Sequence, residues 1–111
     1  MTQRLFVYGT LGPDKPNEHV LSAIGGTWEE ASVNGYLKSQ GWGAEMGYPG
    51  IVVLDDTGDE IKGYIFYSDT LDYHWGELDD FEGDEYKRVL TKVKTKDKVI
   101  VEAYIYILRE S

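Results

Sequence analysis

The chain has 111 residues, of which 41% are hydrophobic and 14% aromatic, enough apolar material for one compact domain over residues 1–111. Twenty acidic residues against eleven basic ones give a net charge of −9, the wrong sign for a surface that binds nucleic acid or anionic lipid. There is no cysteine and there are only two histidines, so we expect no disulfide, no thiolate nucleophile, no metal site and no metal cofactor.

The first part of the chain predicts a strand, a loop and a short helix. Residues 5–8 form an apolar and aromatic run that ends at a glycine, which is typical of a buried strand. Residues 10–16 contain one glycine and two prolines, which indicates an irregular loop. A helix capped by Asn17 is predicted as far as Ile24, where two glycines follow as a stop signal.

The middle of the chain predicts two hairpins. Residues 27–39 indicate a pair of strands, because Asn34-Gly35 is one of the strongest hairpin dipeptides. Residues 40–50 contain four glycines and a proline, which indicates an irregular segment. The apolar run 51–54 and the alternating run 60–67 then predict a second hairpin.

The last part of the chain predicts a helix and two more strands. The helix runs from Leu71 to Glu82, because Gly83 marks its end. Residues 86–94 and 99–108 follow as strands on either side of a polar turn. With six or seven strands and two short helices, the predicted fold class is α+β, a small mixed, largely antiparallel sheet or barrel.

The apolar segments also bear on location. No secretion signal and no apolar run of membrane-spanning length is visible in the sequence. We therefore expect a soluble, cytoplasmic protein without a membrane partner, and the sequence leaves its oligomeric state open.

Glu82 stands at the end of an apolar stripe on the predicted second helix. Leu71, Trp75 and Leu78 are spaced by four and three residues, so they share an inward face on which Glu82 is the next position. Burial there and the negative end of the helix dipole would both raise its pKa, which suits a residue that takes and returns a proton. Alternatively, the helix frays and Glu82 points to water like its acidic neighbours.

Tyr8, Gly9, Thr10 and Leu11 follow the first strand directly. A turn of this kind can expose consecutive backbone N–H groups, which would hold a carboxylate or an oxyanion without a cationic side chain. The spaced glycines and the lysine of a phosphate-binding loop are absent. The alternative is an ordinary glycine turn after a strand.

Further candidates are aromatic and cationic. Tyr86, Tyr48 and Trp42 could line a substrate pocket, although aromatic residues in so small a domain are mostly core. Arg88 could bind a carboxylate, lie on the outward face of its strand or pair with a nearby acid. Both histidines are interpreted as surface residues, and no Ser-His-Asp set can be assembled.

Two segments taken together resemble the signatures of a known family. Residues 5–11 read Leu-Phe-Val-Tyr-Gly-Thr-Leu, and residues 78–88 read Leu-Asp-Asp-Phe-Glu-Gly-Asp-Glu-Tyr-Lys-Arg. They resemble the two signature segments of the gamma-glutamyl cyclotransferase-like family, particularly its gamma-glutamylamine cyclotransferase and AIG2-like branch. Residues 47–51, Gly-Tyr-Pro-Gly-Ile, are similar to the family's tyrosine-proline-glycine segment, so the resemblance covers essentially the whole chain.

The resemblance implies a barrel-like mixed sheet with a pocket where the first loop meets the end of the second helix. It implies an enzyme that converts a gamma-glutamyl amine or peptide to 5-oxoproline and a free amine without a cofactor. Tyr8, Gly9, Thr10 and Leu11 match the family's substrate-binding loop, and Glu82 matches its catalytic acid/base.

The chain departs from the family pattern just after the loop. Gly12-Pro13-Asp14 stands where many relatives have basic residues, which argues against a cationic rim formed at this point. The gamma-glutamyl compound is therefore left open, from glutathione to an amino acid or amine conjugate. The alternative function is a module on the same fold that binds a small carboxylate without catalysis.

Overall fold

The structure is a computed structural model that describes residues 2–39, 47 and 49–109. These residues form six strands, two α-helices and one 3₁₀ turn. In chain order the elements are β1 (Gln3–Val7), α1 (Glu18–Ile24), β2 (Thr27–Lys38), β3 (Gly50–Leu54), β4 (Asp59–Ser68), the 3₁₀ turn Leu71–Tyr73, α2 (Trp75–Glu82), β5 (Tyr86–Thr95) and β6 (Ile100–Leu108). Most of the predicted irregular segment 40–50 lies outside the described residues.

Five of the strands close into a small barrel. The described sheet has the order β3-β2-β4-β1-β6-β5, and a further pairing of β2 with β5 closes the ring and leaves β3 attached outside it. The closure is short, with Ala31 opposite Thr95 and Ser32 opposite Lys94. Among the described pairs only β1 and β6 are parallel. The predicted α+β class with a mixed, largely antiparallel sheet or barrel is confirmed.

The hairpin predicted around Asn34-Gly35 is wrong. Both residues lie inside β2, a single strand of 12 residues. Gly35 is needed for a close approach rather than a turn, because a Cβ there would lie 2.5 Å from the carbonyl oxygen of Val53. The Asn34 amide donates to the carbonyl of Gly58 at 3.2 Å, so the dipeptide braces the turn between β3 and β4.

The predicted second helix is shorter than expected at its start and ends where expected. A 3₁₀ turn occupies residues 71–73, and His74 has φ −122°, outside the helical range, so α2 begins only at Trp75. Gly83 has φ 82°, a left-handed conformation that glycine adopts at low cost, and this ends the helix. Neither helix of the described residues has the length and apolarity needed to cross a bilayer.

Alternation along β1 separates two apolar clusters. Leu5 and Val7 belong to the cluster that packs against the helices, and Phe6 belongs to the cluster on the other face of the strands. Leu78 of α2 is 1% exposed in the first cluster. This packing holds the C-terminal end of α2 beside the loop that follows β1.

Candidate active site

A narrow cleft lies where the loop after β1 meets the end of α2. All six residues predicted for the site line this cleft: Tyr8, Gly9, Thr10, Leu11, Glu82 and Tyr86. Tyr106 and Pro49 also line it. Trp42 and Tyr48, the other aromatic candidates, lie outside the described residues. The fold thus brings together two segments that are about seventy residues apart in sequence.

In the loop after β1, the carbonyls of Gly9 and Thr10 accept hydrogen bonds from residues further along the chain. Gly12 donates its N–H to the Gly9 carbonyl at 3.2 Å, and Asn17 donates to the Thr10 carbonyl at 2.8 Å. Thr10 and Leu11 are buried. Among the hydrogen bonds of the described residues, none uses the N–H of Gly9, Thr10 or Leu11 as a donor. These three amides are therefore available donors in the loop that borders the cleft.

The Tyr8 side chain joins three parts of the fold. Its hydroxyl donates to the Tyr106 carbonyl at 2.8 Å and accepts the N–H of Ile51 at 3.0 Å. Burial raises the pKa of Tyr8, so the phenol stays neutral and keeps its donor. The hydroxyl of Tyr8 therefore holds the loop against β3 and β6.

Glu82 is the last residue of α2 and is partly buried in the wall of the cleft. Burial raises the pKa of Glu82 from 4.5 to about 7, because a carboxylate loses hydration when apolar groups replace water. Near neutral pH the side chain therefore exists in both protonation states in comparable amounts. A group of this kind can accept a proton in one step and return it in the next.

Tyr106 connects the loop to α2, and the sequence analysis did not identify it. Its carbonyl accepts the Tyr8 hydroxyl, and its own hydroxyl donates to the Asp79 carboxylate at 2.7 Å. Asp79 lies one turn before Glu82 on α2. Arg88 completes the cluster, 3.4 Å from the same Asp79 oxygen and stacked 4.4 Å above the ring of Trp75. Only the alternation of β6 could have suggested that Tyr106 faces the site.

Arg88 and the histidines have local partners. Arg88 is partly buried and pairs with Asp79, as one of the sequence alternatives predicted. His19 is exposed, whereas His74 is partly buried at the start of α2 and lies 3.1 Å from Glu77. In the part of the chain that the structure describes, no three His, Asp or Glu side chains are grouped as metal ligands.

The family model for gamma-glutamyl cyclotransferase, AIG2-like proteins matches residues 5–111. The chain belongs to this family. The match includes both the loop after β1 and the end of α2, the two segments that meet in the cleft. A comparison with curated proteins gave no match.

Several solved structures have folds similar to that of this chain. YkqA from Bacillus subtilis is 31% identical over all of this chain, with a TM-score of 0.73, but the chain spans only 37% of that protein. An AIG2-like protein from mouse is 25% identical over 96% of this chain and 76% of its own, with a TM-score of 0.70. A gamma-glutamyl cyclotransferase is 17% identical over 99% of this chain and 68% of its own, with a TM-score of 0.67, and this likeness concerns the fold alone.

Proposed function

We propose that residues 1–111 act as a gamma-glutamyl cyclotransferase that releases 5-oxoproline and a free amine from a gamma-glutamyl amine or peptide. The observation that carries the proposal is the pairing, in one cleft, of a carboxyl group of pKa about 7 with a loop of unused backbone donors. Family membership supports the same reaction.

The reaction needs few protein groups because the substrate supplies both reactants. The substrate's α-amine nitrogen attacks its own γ-carbonyl carbon, a carbon–nitrogen bond closes the five-membered ring, and the bond to the leaving nitrogen breaks. Nucleophile and electrophile are already tethered, and such intramolecular attack reaches effective molarities of about 10⁵ M or more when well oriented. The reaction is redox-neutral and needs no cofactor.

Glu82 would move the proton. Its ionised form takes a proton from the attacking amine, and its protonated form returns that proton to the leaving nitrogen. A pKa of about 7 makes both transfers accessible at neutral pH. One carboxyl group is thus sufficient for acid and base roles that many sites divide between two residues.

The loop after β1 would hold the charged parts of the substrate. The N–H groups of Gly9, Thr10 and Leu11 are suited to the α-carboxylate or to the oxyanion that forms at the γ-carbonyl. Tyr86 would border the bound substrate from β5. The Tyr8 hydroxyl, in this proposal, positions the loop against β3 and β6.

The test is release of 5-oxoproline from gamma-glutamyl-alanine by wild type and by Glu82→Gln. We expect the variant to bind 5-oxoproline as wild type does and to lose turnover by about 10² to 10⁴-fold, the usual contribution of a positioned acid/base. Glu85→Gln is the matched control, because Glu85 is exposed and its carbonyl, not its side chain, accepts the Arg109 N–H. Undiminished turnover in Glu82→Gln would exclude the assignment.

A second candidate is a module that binds small carboxylates without catalysis. The unused amides of the loop favour it as much as they favour an enzyme, because they bind an anion whether or not a proton moves. Calorimetry with 5-oxoproline beside the release assay separates the two. Binding without release from any gamma-glutamyl amine identifies the module.

A further inference from the structure

A second and wider depression borders the loop after β1 on its other side. It is lined by the loop, by β2 and β4, and by the turn that follows β5. Its volume is about 700 Å³, against about 40 Å³ for the cleft that contains Glu82. Tyr8 lines both depressions, so the groove and the cleft are adjacent at this residue.

The groove is rich in lysine, although the chain as a whole is acidic. Five of its lining residues are lysines and three are acids, whereas the whole chain has eleven basic and twenty acidic residues. The lysines are Lys15, Lys62, Lys94, Lys96 and Lys98, and the acids are Asp14, Glu30 and Glu60. The groove is therefore a locally cationic surface on a protein that otherwise repels anions.

The described part of the fold makes little use of four of these lysines. Within the described part of the chain, Lys62, Lys94, Lys96 and Lys98 form no ion pair with a carboxylate. The Glu60 carboxylate instead accepts the Ser32 hydroxyl at 3.4 Å.

Protection of an exposed sheet edge does not explain the lysines either. Lysines often guard unpaired strand edges, but the end of β5 pairs with β2, and the Lys96 N–H donates to the Glu30 carbonyl at 3.0 Å. Like charges held together cost free energy, and a multiply charged anion would remove that cost.

We propose that the groove binds the leaving part of the substrate, and that this part carries two or more carboxylates. The inference rests on the proposed function, which puts the gamma-glutamyl unit in the cleft. The preferred substrates are then gamma-glutamyl conjugates of short acidic peptides. The lysines lie on four parts of the fold, which are the loop after β1, β4, β5 and the turn after β5. They therefore suit several carboxylates spread along a chain better than a single one.

The expected effect follows from the strength of exposed ion pairs. One such pair raises binding by up to about fivefold. Two or three carboxylates should therefore give a preference of about tenfold in kcat/KM over a substrate whose leaving group is alanine. Salt screens exposed pairs, so the preference should shrink between 50 mM and 500 mM sodium chloride.

The first experiment compares gamma-glutamyl-alanine with gamma-glutamyl-glutamyl-glutamate. Wild type should prefer the acidic substrate by about tenfold. A variant with Lys62, Lys94 and Lys96 all changed to Gln should lose the preference and treat the two substrates alike. The matched control changes three exposed lysines outside the groove, Lys38, Lys87 and Lys92, and should keep the preference. Equal rates in wild type would overturn the proposal.

The second experiment needs no turnover, so it separates this proposal from the proposed function. Calorimetry measures binding of the peptide glutamyl-glutamyl-glutamate to wild type, to the groove variant and to the control. Binding to wild type and the control, with loss in the groove variant, supports the groove even if no gamma-glutamyl compound is cyclised. Binding that the groove lysines do not affect, or no binding at all, contradicts it.

Discussion

Replacing Glu82 by Gln should make the protein more stable at alkaline pH while removing its activity. The folded state raises the pKa of Glu82 from 4.5 to about 7, so the folded chain holds this proton more tightly than the unfolded chain does. Stability therefore falls as pH rises from 4.5 through 7, and the loss is complete above 7. A shift of this size corresponds to about 3 kcal/mol. Gln has nearly the same shape and never ionises.

The assay is urea denaturation of wild type and Glu82→Gln at pH 4 and at pH 8.5. The Gln side chain never ionises, so its own effect on the free energy of unfolding is the same at both pH values. We therefore compare the stability difference between the two proteins at pH 4 with the same difference at pH 8.5. We expect this difference to shift by about 3 kcal/mol in favour of the variant, or roughly 10 °C in Tm. Glu85→Gln, at an exposed position, should show a shift of less than about 0.5 kcal/mol. A difference that is flat with pH would refute a raised pKa for Glu82.

Two further predictions concern the hydroxyls that hold the cleft together. Tyr8→Phe leaves the N–H of fully buried Ile51 without its acceptor, so we expect a loss of about 1–3 kcal/mol in urea denaturation. The control Tyr36→Phe removes an exposed hydroxyl that is hydrogen-bonded to Thr57 and should cost no more than about 1 kcal/mol, because both groups can bond to water instead. Tyr106→Phe removes the hydrogen bond to the Asp79 carboxylate and should cost about 1.5–3 kcal/mol, the usual strength of a bond to a charged group. Thermal unfolding at pH 7 measures the second effect, and a Tyr106→Phe variant as stable as wild type would mean that Arg88 alone holds Asp79.

Sequence patterns within a single helix were enough to predict the features of the site that this helix determines. The spacing of Leu71, Trp75 and Leu78 predicted that Glu82 faces inward, and Gly83 predicted where the helix ends. Both predictions hold even though α2 starts four residues later than expected, because side-chain direction depends on the helical period and not on where the first turn forms. Burial raises the pKa of Glu82, as the sequence analysis expected for this position.

Features that depend on distant segments were not predictable in this way. Asn34-Gly35 is a strong hairpin signal, but its glycine is needed where β2 approaches β3 and its amide supports the turn before β4. No local pattern distinguishes that use from a turn. Tyr106 was missed for the same reason, since its two partners lie 27 and 98 residues away in the chain.

The cationic groove is a third example of long-range assembly. The sequence analysis found Gly12-Pro13-Asp14 in place of basic residues directly after the loop, which weakened the case for a cationic rim there. The structure has a cationic surface beside the loop nonetheless, because β4, the end of β5 and the turn after β5 contribute Lys62, Lys94 and Lys96 respectively. Charges that are scattered along the sequence come together on one surface where the closure of the barrel joins β2 to β5.

The raised pKa of Glu82 also limits how the chain can be stabilised. Ionisation of this residue costs about 3 kcal/mol above pH 7, a large fraction of the 5–15 kcal/mol that typically stabilises a folded domain. Rehydrating the carboxyl group would recover that free energy, but the pKa would return towards 4.5. The protonated form, which the proposed reaction uses to release the amine, would then become scarce at neutral pH. Variants of the cleft wall that lower the Glu82 pKa should therefore gain stability and lose rate together. A variant that gained stability through a lower Glu82 pKa yet kept full turnover would show that the proton comes from elsewhere.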